Sequence, residues 1–233
     1  LAGSCSLITL PLLMFMGLPP AVANGTNRIG VIIQNAVATR NFIHQKELHA
    51  KNEWHLIIPA LAGALAGALI AVDIKEDVLN YFIGGLLIVM FFVILLKPDR
   101  WIKGKAGQTK SRKSRITNSI IFFFIGIYGG FIQAGIGFFL ITSLVFVAGA
   151  DLIKANALKL FIVLIYNSFA LLVFILNGQV DFKFGLIVGI GNMLGAFIGT
   201  RVAVKYGPKL ARIILMIGLL FASLKIFGVI SIF

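Results

Sequence analysis

The chain has 233 residues, 59% of them hydrophobic and 12% charged, with a formal net charge of +13. That composition excludes an ordinary soluble domain, where about a quarter of residues are charged. A single cysteine, Cys5, leaves neither an intrachain disulfide nor a cysteine-ligated metal centre. Excess Lys and Arg would point to nucleic acid in a soluble protein. Here they punctuate recurring uncharged apolar runs, where basic residues mark cytoplasmic loops, so no nucleic-acid partner is expected.

Leu1 already lies in an apolar segment with no basic stretch ahead of it, so the start does not read as a signal peptide. Ala2 to Met16 reads as the second half of a broken element, and the sequence is expected to be truncated at its N-terminus. Pro19 and Pro20 suit the first turn of a helix running to about Ile43. Residues 44–55 form a polar loop. Leu56 to Val72 is a span carrying GALAGA, small residues that let helices approach closely. An acidic turn at 73–77 precedes a span from Leu79 to Leu96. Lys97 to Arg115 is a basic linker, read as a topology determinant on the cytoplasmic side that could also hold anionic lipid.

The stretch from Ile116 to Ala150 carries no charge and is too long for one crossing of about 20 residues, yet too short for two. Glycines at 129, 130, 135 and 137 interrupt it near its middle, where helix propensity is lowest. Two half-helices that turn near Gly135 and leave on the side they entered satisfy both constraints. Such broken elements persist in lipid only where they are buried in protein or line a cavity, and they point to a transporter's binding site. The remaining spans are expected at 152–176, 182–202 and 209–230, with loops at 177–181 and 203–208.

An offset of 132 lays Gly3 on Gly135, Gly17 on Gly149, Asn24 on Asn156 and Asn35 on Asn167; an offset of 128 lays Gly63 and Gly67 on Gly191 and Gly195. The chain therefore reads as an all-α polytopic membrane protein of two tandem homologous halves, 1–96 and 116–233, joined by the linker 97–115. Each half holds a glycine-broken element followed by three transmembrane helices. If the broken element is re-entrant, the halves are inverted repeats. That arrangement gathers more Lys and Arg on the linker's side than a parallel one, chiefly through Arg201, Lys205, Lys209 and Arg212, as the positive-inside rule prefers.

Five segments together resemble one family: GSCSLITLPLL, GLPPAVANGTNR, YGGFIQAGIGFFL, KANALKLFIVLIYN and GNMLGAFIGTRVAVKYG. They are similar, in order and in both halves, to the sulfite/organosulfonate exporters of the TauE/SafE type. The resemblance implies a permease for sulfite, organosulfonates or related organic anions in a bacterial cytoplasmic membrane.

The residues place a candidate anion site near the midplane. Arg28 lies about 12 Å down its helix from Pro20, and Lys159 lies at a similar depth below Leu152, at 1.5 Å per residue. A half-helix that starts near Gly135 and Gly137 points its N-terminal amides to a comparable depth. The site is expected to combine the turns at Gly3, Gly135 and Gly137 with Arg28 and Lys159. Asn24, Asn27, Asn35, Asn156, Asn167 and Gln133 would supply neutral donors. Snorkelling by the cations and helix-to-helix bonding by the asparagines are the structural alternatives.

All eight acidic residues fall in loops or at span ends, so no carboxylate proton relay is visible. His44, His49 and His55 share one loop at spacings that do not make a helical face, and no metal or other cofactor is expected. No catalytic constellation lies within the spans, so the chain does not read as an enzyme. A channel-like or accessory role is the competing reading, since glycine-broken helices also occur in pores. The oligomeric state is not encoded in any feature of the sequence.

Overall fold

The computed structural model describes residues 5–44, 48, 53–95, 112–150, 152–206 and 208–226. Among the described residues the regular elements are all α-helices. They are α1 (Cys5–Phe15), α2 (Pro20–His44), α3 (Trp54–Asp73), α4 (Glu76–Leu95), α5 (Arg112–Phe131), α6 (Ile136–Phe146), α7 (Leu152–Leu176), α8 (Phe182–Tyr206) and α9 (Pro208–Ile226). Three helices, α3, α4 and α7, are long and apolar enough over their described residues to cross a membrane. Their outward faces are apolar: Phe82, Phe92, Leu69 and Leu172 are all more than half exposed.

Local chemistry sets most boundaries. Gly17, Gly149 and Gly178 have φ of +94°, +68° and +68° and close α1, α6 and α7. In each case the next amide reaches back to a carbonyl in the last turn: Leu18 to Leu13 at 3.2 Å, Ala150 to Leu144 at 2.9 Å, and Gln179 to Phe174 at 2.9 Å. That is the left-handed glycine stop, which a side chain would strain. Pro20 is the first residue of α2, where its missing amide costs nothing. The loop expected at 203–208 is absent: α8 runs to Tyr206 and α9 starts at Pro208. No Gly or Pro falls between 203 and 206, and the Gly207–Pro208 pair is the first Gly-Pro breaker after Gly199. α5 begins at Arg112, so the last basic residues of the linker belong to a helix. The rest of the linker, Gly3 and the expected truncation lie outside the described residues.

Small residues set how the helices pair. On α3, Gly63 and Gly67 face the carbonyls of Phe123 and Ile127; on α5, Gly126 and Gly130 face the carbonyls of Ala60 and Ala64. A Cβ at any of the four would press into the opposing backbone. The two glycine pairs, each four residues apart, therefore interlock, and the helices run parallel. The Ser119 hydroxyl donates to the His55 carbonyl at 2.8 Å and fixes the register at the N-terminal end.

α7 runs parallel to α3, with Ala170 and Phe174 packed on Ala68 and Ala71. The Gln179 amide donates to the Val72 carbonyl at 3.0 Å, which ties the C-terminal ends together. α2 runs antiparallel to α7, since Arg28 bonds Asn167 while Gly25, nearer the start of α2, meets Phe174 and Gln179. α8 runs parallel to α2, with Ile29 over Gly185 and Ile33 over Gly189. The C-terminal residues of α6, Leu144 and Val145, share one apolar cluster with Leu56 and Ile57 at the start of α3 and with Ala155 at the start of α7.

Gly126→Leu is expected to abolish recovery of monodisperse protein, because the α3–α5 backbones cannot separate without opening the core. Gly85→Leu, where nothing lies within 4 Å, is expected to leave it unchanged. Size-exclusion profiles of the two variants in detergent check this.

Candidate anion site at the break between α5 and α6

The four residues from Ile132 to Gly135 turn the chain between two helices. The Tyr128 hydroxyl reaches over the turn and donates to the Ala134 carbonyl. Inside it, the Ala134 amide donates to the Ile132 carbonyl at 2.7 Å. Gln133 has a φ of +64° and is the one non-glycine residue with positive φ among those described. Such a conformation in a residue other than Gly is uncommon and concentrates at functional sites. Gly135 follows with φ +73° and is the residue preceding α6. A Cβ there would also meet the Met90 sulfur at 2.8 Å, so the position requires glycine on two counts.

A helix that ends inside the fold leaves carbonyls without partners. The polar face of α2 answers them. The Arg28 guanidinium donates through Nη1 to the Gly129 carbonyl at 3.4 Å and through Nη2 to the Gly130 carbonyl. The Asn24 side-chain amide donates to the Phe131 carbonyl at 2.6 Å. Arg28 Nη1 also reaches Asn167 Oδ1 at 2.9 Å, and the Asn167 amide returns a bond to the Arg28 carbonyl at 3.4 Å. The Phe174 ring lies 4.5 Å from the guanidinium carbon and supplies a cation–π face. Arg28, Asn24 and Asn167 are fully buried. A positive charge on the C-terminal end of α5 also complements that helix's dipole.

Around this brace lie polar atoms without partners. Asn24 Oδ1, Asn27 Nδ2, Arg28 Nε, Tyr166 Oη and both amide atoms of Gln133 are buried and make no hydrogen bond. The other end of the Asn27 side chain accepts from Thr9 Oγ1 at 2.5 Å, which brings α1 to the site. The Tyr166 hydroxyl sits against Gly129. Each unpaired buried polar group costs about 1–3 kcal/mol. Such a cluster calls for a partner from outside the chain, water or ligand. Four of the atoms are donors: Asn27 Nδ2, Arg28 Nε, Gln133 Nε2 and the Tyr166 hydroxyl.

The structure thus brings Asn24, Asn27, Arg28, Gln133, Gly135 and Asn167 together. Gly137 is buried in the first turn of α6 beside them. Lys159, Asn156 and Asn35 lie elsewhere. Lys159 is 4% exposed and donates to Asn156 Oδ1 at 2.8 Å, one turn away on the same helix. It stands eight residues before Asn167 on α7, about 12 Å along the axis. Tyr166, Thr9 and Tyr128 are contributors that sequence reasoning missed. Tyr166 stands next to Asn167 in the IYN stretch, and that adjacency was the one available signal. Among the described residues no cluster of His, Cys, Asp or Glu could hold a metal ion, and His55 faces Glu53 at 3.9 Å.

Comparison with known proteins gives the family of the chain. The family model described as Sulfite exporter TauE/SafE matches residues 1–226. The chain belongs to the TauE/SafE family. Among its relatives, the "probable membrane transporter protein ORF9" of Sinorhizobium sp is 31% identical over 217 residues, which is 93% of this chain and 82% of that protein. The "probable membrane transporter protein YfcA" of Escherichia coli K12 is 30% identical over 221 residues, 93% of this chain and 80% of that protein. A "probable membrane transporter protein" of Haemophilus influenzae is 27% identical over 216 residues, 91% and 82% of the two chains. No solved structure matches the chain. For this TauE/SafE member the brace at the helix break carries a direct expectation. Asn167→Ala removes one partner of a buried cation and is expected to lower stability by about 1–3 kcal/mol. Arg28→Gln strips two carbonyls and is expected to cost more, about 2–6 kcal/mol at about 1–3 kcal/mol for each. The two effects are expected to be non-additive in a double-mutant cycle read by SDS unfolding in mixed micelles. Simple additivity would show that the bond carries nothing.

Proposed function

We propose that the chain is a permease for small sulfur-containing oxyanions such as sulfite and organosulfonates, or related organic anions, in a bacterial cytoplasmic membrane. The observation that carries this reading is the set of orphaned donors at the α5–α6 break: a fixed positive charge whose Nε–H has no partner, flanked by two amides and a phenol. An oxyanion's oxygens accept from several converging donors at once. The unpaired acceptors Asn24 Oδ1 and Gln133 Oε1 suit an anion that also carries a donor, such as a protonated oxyanion or an aminosulfonate. The printed names of the relatives describe membrane transport, which supports the same reading.

The transport mode we infer is alternating access between inverted repeats. Its support is directional. α2 and α7, related by the 132-residue offset and both 25 residues long, run antiparallel. α3 and α8, related by the 128-residue offset, also run oppositely, because α3 follows α7 and α8 follows α2. α1 and α6 are each 11 residues long and end on the repeat-related glycines Gly17 and Gly149. The return of the α6 C-terminus to the start of α3, the end from which α5 also sets out, supports a re-entrant α5–α6 element. A broken helix lining a midplane site is the arrangement that inverted-repeat transporters use.

Proteoliposomes containing the full-length protein are expected to show saturable uptake of labelled sulfite or taurine. Gln133→Ala is expected to raise the half-saturation concentration about tenfold, equivalent to about 1.4 kcal/mol of binding, with unchanged folding. Flux that rises linearly with concentration and ignores the substitution would contradict the permease reading in favour of a pore.

A further inference from the structure

The cationic residues on α2 and α7 occupy different levels, and the internal repeat relates those levels. At the 132-residue offset Asn24 corresponds to Asn156, Asn27 to Lys159, and Asn35 to Asn167. The site at the helix break therefore contains Asn24, Asn27 and Arg28 of α2 facing Asn167 of α7. Its repeat-related image contains Asn156 and Lys159 of α7 facing Asn35 of α2. Counted from the Arg28–Asn167 bond along the antiparallel pair, Asn35, seven residues further on α2, falls at the level of residue 160, one position from Lys159.

The chemistry of the second group is that of a site. Lys159 is 4% exposed and Asn35 6% exposed. A buried ammonium has three donors, and the Asn156 side chain takes one of them. Thr142, on α6, has a buried hydroxyl without a partner. Its neighbours on α6, Ile141, Leu144 and Val145, share one apolar cluster with Ala155 and Leu158, which flank Asn156 on α7. An ionisable group held inside the membrane with an incomplete set of partners is functional by default.

Resting on the permease reading above, we propose that the substrate path has two oxyanion stations and not one. The first is the helix-break site with Arg28, and the second is formed by Lys159, Asn156, Asn35 and Thr142. They lie about 12 Å apart along α7. The spacing exceeds the size of a small oxyanion, so both stations hold an anion at once. The pseudo-symmetry places one station on each side of the midplane, where each half of the transport cycle exposes one of them.

Equilibrium binding to the purified full-length protein tests this, with radiolabelled sulfite and, in parallel, radiolabelled taurine as probes. Wild type is expected to bind two anions per chain. Lys159→Gln is expected to bind one, Lys159→Arg two, and Gln133→Ala one at moderate concentration, with all variants monodisperse. Should Lys159→Gln fail to fold, Asn35→Ala and Asn156→Ala are expected to weaken one of the two sites about tenfold. A single bound anion that Gln133→Ala removes and Lys159→Gln leaves intact would overturn the second station and keep the permease. A single anion lost in both variants would also overturn it, by merging the two groups into one site. No binding of either probe to wild type would overturn the second station and the permease reading together.

Discussion

A helix that stops inside an apolar layer exposes carbonyls that neither water nor lipid can satisfy. That constraint organises this molecule. α5 ends at Phe131, and its last carbonyls are taken by Arg28 and Asn24 from α2. For α2 to reach them, α5 must be held at a fixed depth, which the interlocked glycines of α3 and α5 achieve. For Arg28 to be oriented, Asn167 on α7 must face it, which fixes the antiparallel register of α2 and α7. The packing of four helices is thus referred to one broken backbone.

The same brace divides labour within the polar cluster. The terminal nitrogens of Arg28 are directed at backbone and at Asn167, so its charge acts as a fixed field, with Nε the one guanidinium nitrogen that has no partner. The adaptable contacts fall to neutral groups, Asn27, Gln133 and Tyr166. On the permease reading proposed above, such a site would attract an anion through a charge it does not need to move and grip it with neutral amides. Gln133 is central to that division. Its left-handed backbone places a long amide in a turn where glycine would be less strained. No structural partner within the fold accounts for that choice.

Much of this was legible in the chain itself. The glycine interruption of an overlong uncharged run located the break to within a few residues, because span length and helix propensity both act locally. α7 was placed at its observed bounds, because Leu152 and Gly178 bracket a clean apolar period. The asparagine matches at one offset are the sequence basis of the proposed repeat. What remained hidden was register. Arg28 and Lys159 have similar depths below their own helix starts, and that similarity joined them in one expected site. Their helices enter from opposite ends, so the two residues stand on different levels. Tyr166 was invisible for a related reason: a tyrosine on an apolar helix has no pattern that separates core from site. The end of α8 was misplaced by four residues, since nothing between 203 and 206 breaks a helix before Gly207.

The most direct test of the account is the position of a bound anion. Selenite is a close analogue of sulfite with an anomalous scatterer at its centre. Crystals of the full-length protein grown with selenite are predicted to show an anomalous peak at the α5–α6 break, within hydrogen-bonding reach of the Gln133 and Asn27 side chains and the Arg28 Nε. A protein that binds selenite in solution but shows the peak nowhere near Gln133 would contradict the account. It would make the polar cluster a feature of folding alone.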